Sequence, residues 1–328
     1  MATSKKTRKT PTRARRPARA GKNSSQAEKI QLGIKQRLLS PRFLTVAGSF
    51  LGVLIIIFLI TLWFVKIYAD PEHVFWETIK NSLTTQSITK DSLRSTPSST
   101  NDELVQMQFT PELLVHDVKI LSNGSGTSAS KLTLDTVGNA TTDYQRYSHI
   151  ERPGSKQTQK DYQKIYDMWI KNGGQEGVSG QIVANSIFGA ALFGNFHAPV
   201  RQNIYSDLRR AYVVDFANVN KHGDAKRRTY VYHVKVPLRQ YAVAAHDYAA
   251  ALGLPIAAQI NANNYRDTDQ LDVVFTVDVL SRQIKKIEYP RQNFTENYSG
   301  QGIAANITLP TKTVSGLTFQ KAINSISQ

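Results

Sequence analysis

From Phe43 to Val65 the chain runs 23 positions without a charged residue, and no other feature limits its possible folds so tightly. At 1.5 Å rise per residue, a helix of that length covers the roughly 30 Å hydrocarbon core of a bilayer. A secretory signal has a shorter apolar region, about 7 to 15 residues, and ends in a small-x-small cleavage site. Here the run ends at Trp63, Lys66 and Tyr68, an aromatic and basic collar suited to a membrane interface. Ile67-Tyr68-Ala69 offers no cleavage box. The reading is a basic tail over 1–42, a retained transmembrane helix over 43–66 and an extracytoplasmic domain over 67–328.

Charge sets the orientation. Residues 1–42 hold 13 Lys and Arg against one acid, Glu28, in a chain of net charge +16. The positive-inside rule then places the N-terminus in the cytoplasm of a single-pass cell-membrane protein and the domain outside. The tail is too poor in apolar residues to form a core and is expected to be disordered. It has no aromatic residue on which bases could stack, which argues against a nucleic-acid partner, and attraction to anionic headgroups accounts for its charge. Cysteine is absent, so the exported domain must hold itself together by its core. Six Asn-x-Ser/Thr sequons, at Asn23, Asn123, Asn139, Asn293, Asn297 and Asn306, read as chance in a Ser/Thr/Asn-rich bacterial surface protein.

Beyond the collar, Asp70-Pro71-Glu72 starts a helix with an N-cap, a proline at the first turn and an acid at the positive end of the dipole. Val74, Phe75, Ile79 and Leu83 form its apolar stripe. Thr84–Glu103 reads as an irregular Ser/Thr-rich loop. Between Leu104 and Ile150 the pattern alternates, predicting an antiparallel meander of four strands. A helix is expected over KDYQKIYDMWIKNG, ended by Gly173, followed by an apolar helix or lid over Gln181–Phe196 that could also serve as a flap over a cavity. DLRRAYVVDFANV and RRTYVYHVKV read as a hairpin, PLRQYAVAAHDYAAALGL as a helix ended by Gly253, and LDVVFTVDV and RQIKKIEY as a second hairpin. NFTENYS and GIAANITL read as further strand-like pieces before a short helix, FQKAINSI. The fold class is α+β: one curved, half-barrel-like antiparallel sheet with helices on its concave face.

The search for chemistry yields little. Seven histidines never occur in H-x-x-x-H or H-E-x-x-H spacing, so no metal site is expected. Asp267-Thr268-Asp269 lacks the glycine and the terminal acid of a calcium loop. No nucleophile elbow, S-x-x-K or phosphate loop occurs, so neither catalysis nor a cofactor is expected. The apolar stretches remain, and they nominate Ile187, Phe188, Leu192, Phe193, Phe275 and Val277 as the lining of a ligand cavity, with Trp63, Lys66 and Tyr68 at the membrane interface.

Phe275–Tyr289, FTVDVLSRQIKKIEY, resembles a hairpin of the LolA/LppX superfamily of bacterial lipoprotein and lipid carriers. There, too, a strand of x-V-D-V type turns through polar residues into a basic and apolar strand. The order of elements over residues 72–310 is compatible with that half-barrel. The resemblance implies a carrier of lipid or another hydrophobic group, although those carriers are soluble or anchored through an N-terminal cysteine, which this chain lacks. It therefore reads as a membrane-anchored extracytoplasmic binding protein, its partners the bilayer, a hydrophobic ligand and proteins of the envelope. The alternative is an interaction component of an envelope or secretion assembly with a filled core and no ligand.

Overall fold

Helix α1, Pro41–Trp63, carries no charged residue in its last turn, and from Val53 to Trp63 every side chain is exposed. The one hydroxyl near its end is satisfied internally, Thr61 Oγ1 donating to the Ile57 carbonyl at 2.8 Å. A computed structural model describes residues 41–63, 68–124, 129–172, 181–224, 227–303 and 305–326. The basic tail up to residue 40, Lys66 of the collar and Gly173 lie outside the described residues. Among the described residues no helix is long and apolar enough to cross a membrane; of α1 they include side chains only from Gly52 onward. Contacts divide the chain into Met1–Val65 and Lys66–Gln328, and the second unit contains everything below.

Helix α2, Pro71–Ser82, begins as its sequence dictates, the Asp70 carboxylate accepting from the His73 amide at 2.9 Å. There follow β1 (Ser87–Ser95), β2 (Ser99–Gln108), β3 (Leu114–Asn123), β4 (Ser130–Asn139) and β5 (Asp143–Glu151), each antiparallel to the one before. Helix α3 (Gln159–Tyr166), the short β6 (Ile170–Asn172), α4 (Gln181–Ile187) and α5 (Ala198–Ala211) come next. Then come β7 (Val213–Val214), β8 (Asn220–His222), β9 (Thr229–Pro237), α6 (Leu238–Ala251), β10 (Gln270–Asp278), β11 (Gln283–Tyr289), β12 (Phe294–Ser299) and α7 (Gly316–Ile326). The strands form one open antiparallel sheet in the order β6-β5-β4-β3-β2-β1-β12-β11-β10-β9-β7, with β8 also on β9. The first long strand thus lies beside the last, Lys90 opposite Tyr298 and Ser92 opposite Glu296.

Following the register across the sheet defines one face, called inner here, that carries Ile88, Val105, Val115, Ile287, Phe275 and Tyr232. Phe75 of α2 sits on it, wholly buried, its ring 5.1 Å from Tyr232, 5.8 Å from Phe275, 6.0 Å from Phe216 and 6.2 Å from Tyr212. Such offset and edge-on aromatic pairs add about 0.5 to 1.5 kcal/mol each to area burial. Farther along the same face, α3 and α7 cover Leu132, Tyr147 and Ile150. On the opposite face Leu114 and Val137 are covered by Trp169, Ala305, Ile307 and Leu309.

The structure differs from the sequence reading at five places, one being the helix or lid expected over Gln181–Phe196, which is helical only as α4, Gln181–Ile187. Thr84–Glu103, expected as a loop, contains β1 and the start of β2. The inward residues of β1 after Ile88 are Lys90 and Ser92, buried in a polar cluster, so the strand shows no apolar alternation. Residues 198–211, partly assigned to a hairpin, form α5, whose buried stripe is Ile204, Asp207, Leu208 and Ala211. The helix expected through Ile170 ends at Tyr166, and Ile170 begins β6. The strand expected at GIAANITL is not there, since 305–310 run irregularly over the outer face. Helix α6 does end as predicted: Gly253 has φ +70°, with Leu254 N donating to Ala249 O at 2.9 Å and Gly253 N to Ala250 O at 3.1 Å, a Schellman closure.

Candidate functional site

The six residues nominated for a cavity are packed side chains. Ile187, Leu192, Phe193, Phe275 and Val277 are buried and Phe188 is half-buried. Phe193 lies 4.9 Å from Tyr298, Phe188 lies 5.7 Å from Tyr248, and Phe275 belongs to the Phe75 cluster. Residues 188–196 form an irregular plug that hydroxyl groups tie down. Tyr248 donates to Phe193 O at 2.8 Å and Tyr212 to Ala190 O at 2.5 Å; Tyr241 donates to Gly189 O, and Tyr289 Oη accepts from Ala190 N at 2.9 Å. The backbone of α2 holds it from the other side, with Gly194 N donating to Ser82 O and Phe196 N to Leu83 O. Burial holds Tyr289 and Tyr298 well above the ordinary phenol value, and the adjoining Glu296 carboxylate, which accepts from both at 2.7 and 2.8 Å, adds to it. Held this way, the plug is a fixed part of the core. Of the interface residues, Trp63 ends α1. Tyr68 is half-buried, donating to Leu280 O at 3.2 Å beneath the Arg282 guanidinium, 4.2 Å above its ring.

Beside the plug, the middle strands carry a buried charged cluster that the alternation rules could not reveal. Lys90 Nζ donates to Ser186 O at 2.7 Å and lies 3.8 Å from Glu103; Lys119 bridges Glu103 at 2.8 Å and Asp117 at 3.0 Å. Ser186 Oγ donates to Asp117 Oδ2 at 2.6 Å, while Oδ1 of that fully buried carboxyl has no hydrogen-bond partner. Burial above all, with the Glu103 charge beside it, raises Asp117 above the ordinary 3.8, outweighing Lys119 and Ser186. Burial acts in the same direction on Glu103, but Lys90, Lys119 and Ser92 outweigh it and the carboxyl ends below the ordinary 4.5. For Lys119 burial favours the neutral form, and the two carboxylates reverse that. Asp117 therefore takes up a proton at higher pH in the fold than in the unfolded chain, and Glu103 holds its charge to lower pH.

The folded state thus keeps a proton on Asp117 that the unfolded chain releases near pH 4, and this group's contribution falls as pH rises from there until Asp117 ionises. Glu103 works oppositely: its contribution is full above 4.5 and is lost as pH falls through its lowered value. Asp117→Asn should remove the first dependence, so that the variant gains on the native chain as pH rises above 4. Urea midpoints of the two proteins between pH 4 and 8 provide the check; a difference that stays flat with pH would mean Asp117 is charged throughout.

A second feature lies where β4 and β5 meet α3 and α7. A cavity of about 150 Å³ is walled by Leu132, Tyr147, Ile150, Tyr162, Ile165, Ile323 and Ile326, with Arg152 and Gln157 as its only strongly polar lining. Two larger depressions, about 450 and 410 Å³, have mixed walls that include Asp215, His233, Lys235 and Asp272 in one and Glu112, Asn139, Asn195 and His197 in the other. The small one has walls made mainly of aliphatic and aromatic residues. Helix α3 is fixed to β5 there, Tyr166 Oη accepting from Ile150 N at 3.0 Å and Gln159 donating to Ile150 O at 2.6 Å. Its stripe, Tyr162 and Ile165, was legible in the sequence, as was the i, i+3, i+4, i+7 spacing of Phe319, Ala322, Ile323 and Ile326. What the sequence did not show is that the two stripes share one stretch of sheet. Among the described residues no group of three or more His, Cys, Asp or Glu is placed to hold a metal ion.

These features define a mixed helix and strand domain with one large open antiparallel sheet and helices laid on it. No family model matches the sequence, and no curated protein matches it. Solved structures similar to it include two from bacteria. One is the crystal structure of LprF from Mycobacterium bovis, 9% identical, covering 74% of this chain and 98% of that one with a TM-score of 0.39. The other is a DUF1329 family protein from Desulfovibrio piger, 10% identical, covering 73% and 95% with a TM-score of 0.17. At this identity and TM-score the likeness transfers no residue role and no activity.

Proposed function

We propose that this chain is a membrane-anchored extracytoplasmic binding protein that takes a hydrophobic group into the slot between β4–β5 and helices α3 and α7. The observation that carries the reading is the apolar cavity itself. Its volume of about 150 Å³ matches that of cavities that bind benzene-sized guests, and its aliphatic and aromatic walls suit an aromatic ring or the end of an acyl chain. Helix α7 is the natural cover: only Phe319 and Ile326 are buried in it, and an element with so few buried contacts is among the cheapest to lift. In this reading α1 spans the membrane, its exposed apolar side chains meeting hydrocarbon instead of water. The sheet curves as a half-barrel around its helices, with the tail on the cytoplasmic side.

Residues 66–328, a unit with its own core, should take up a hydrophobic fluorophore or a short-chain fatty acid in a fluorescence titration. Ile323→Trp, which fills the slot from a half-buried position, should weaken uptake about tenfold, or 1.4 kcal/mol, with the melting temperature retained. Uptake unaffected by the tryptophan would move the ligand elsewhere. No uptake by the native domain would favour the second reading, an interaction component of an envelope assembly, which the filled core under α2 and α4–α6 supports.

A further inference from the structure

The end of the sheet nearest the apolar helix in sequence has a surface the slot does not use. At that end β8 turns into β9, β10 turns into β11 and β12 leaves the sheet, so Lys221, Arg227, Arg228, Leu280 and Ile303 come together on neighbouring turns. Val279 N donates to Arg228 O at 2.9 Å, which joins the first two turns. The third lies alongside, since Ser281 and Gly302 wall one shallow depression. Leu280 is 41% and Ile303 71% exposed. Lys221 and Arg227 are exposed and Arg228 half-buried. Asp224, between them, has its carboxylate accepting from the Arg227 amide at 3.0 Å.

The tether is attached at the same end. Tyr68 donates to Leu280 O, Arg282 donates to Tyr68 O and to Val279 O, and Tyr230 donates to Ala69 O at 2.8 Å. From Trp63 to Tyr68 is five residue steps, which covalent geometry limits to about 18 Å. Resting on the reading that α1 spans a bilayer, that reach keeps this end of the sheet within about two Debye lengths of the outer lipid surface.

We infer that this end of the domain docks on an anionic bilayer surface, with Leu280 and Ile303 entering the headgroup layer and Lys221, Arg227 and Arg228 facing lipid phosphates and carboxylates. The apolar tips supply burial and the cations supply charge, the combination by which peripheral elements hold to membranes. Docking turns the tether into a fixed stand and sets the height of the slot above the lipid.

The chain contains no cysteine, so single labels are clean. In the full chain, Leu280→Cys and, at the opposite end of β4, Lys131→Cys would each carry an environment-sensitive dye. Each would be reconstituted into vesicles of phosphatidylcholine with or without 30 mol% phosphatidylserine. At position 280 the dye should brighten, shift to the blue and be quenched by a lipid-borne quencher, more strongly with phosphatidylserine; at 131 it should do none of these. Lys221→Glu with Arg227→Glu should weaken the phosphatidylserine effect by about fivefold per residue at low salt. Equal solvent exposure of the two labels in vesicles that do carry the chain through alkaline flotation would overturn docking and leave anchoring intact. A chain that fails to float would overturn the anchoring itself and the inference with it.

Discussion

Phe75→Ala should lower the stability of the domain by about 3 to 5 kcal/mol, the range for deleting a large aromatic side chain from a packed core. Phe75 is the one ring of α2 that touches all the layers around it: Tyr232 and Phe275 from adjacent strands, Tyr212 from the end of α5 and Phe216 from the segment after β7. Removing it leaves a void whose walls are rings tied by hydroxyl groups to fixed carbonyls, Tyr232 to Pro71 O at 2.9 Å and Tyr212 to Ala190 O. They cannot collapse inward without breaking those bonds, so the cost should lie at the upper end. At about 2 to 4 °C per kcal/mol for a domain of this size, melting should fall by about 6 to 20 °C. Leu93→Ala, half-exposed on the outer face, should change stability by less than about 0.5 kcal/mol. Equal effects from the two would show that the α2 cluster is not the centre of the core.

Lys90→Met should cost about 1 to 3 kcal/mol, for a different reason. Lys90 is the most deeply buried cation of the central cluster, at 4% exposure. Methionine fits its hydrocarbon stem, so little packing is lost. What is lost is one of the two cations beside Glu103, Lys119 remaining at 2.8 Å, and the donor to Ser186 O, a carbonyl left without that partner. Adding Glu103→Gln should recover part of that loss, because the side chain at 103 then no longer draws on a second cation. Denaturant unfolding of the four proteins of this cycle measures the coupling directly, and strict additivity would mean that the two side chains do not share their burial.

The same two positions explain what was legible in the sequence and what was not. Helix α2 was readable because Asp70, Pro71 and the Val74–Phe75–Ile79 stripe all say the same thing, and the β10–β11 hairpin because Val273, Phe275 and Val277 alternate with polar partners. Strand β1 was unreadable because its inward row passes from Ile88 to Lys90 and Ser92. Those residues are inward to build a charged cluster, and a pattern rule that equates inward with apolar must miss them. Helix α5 was missed because its core stripe includes Asp207 and its outward side ends in Arg209 and Arg210 before the strand-like AYVV. The plug at 188–196 was recognised as apolar, but its fixity comes from tyrosines on α6, β11 and the end of α5, partners that only the fold brings near. The slot was missed for the same reason: its walls come from β4, β5, α3 and α7, separated by up to some 190 positions in the chain.

The pairing of β1 with β12 also dictates when the molecule can become itself. A chain emerging from its N-terminus can zip β1 to β5 at once, each strand against its immediate predecessor. The other leaf, β9 to β12, is likewise local once made. The two leaves meet only along one strand pair whose members are about 200 residues apart in sequence, a contact among the slowest for a chain to find. Until synthesis has passed Ser299, the edge of β1 stands open, guarded by Lys90, Asp91 and Arg94 against pairing with a stranger. Completion of this sheet is therefore a late event, and a protein truncated before β12 should present two half-sheets, each with a bare edge open to pairing with another chain.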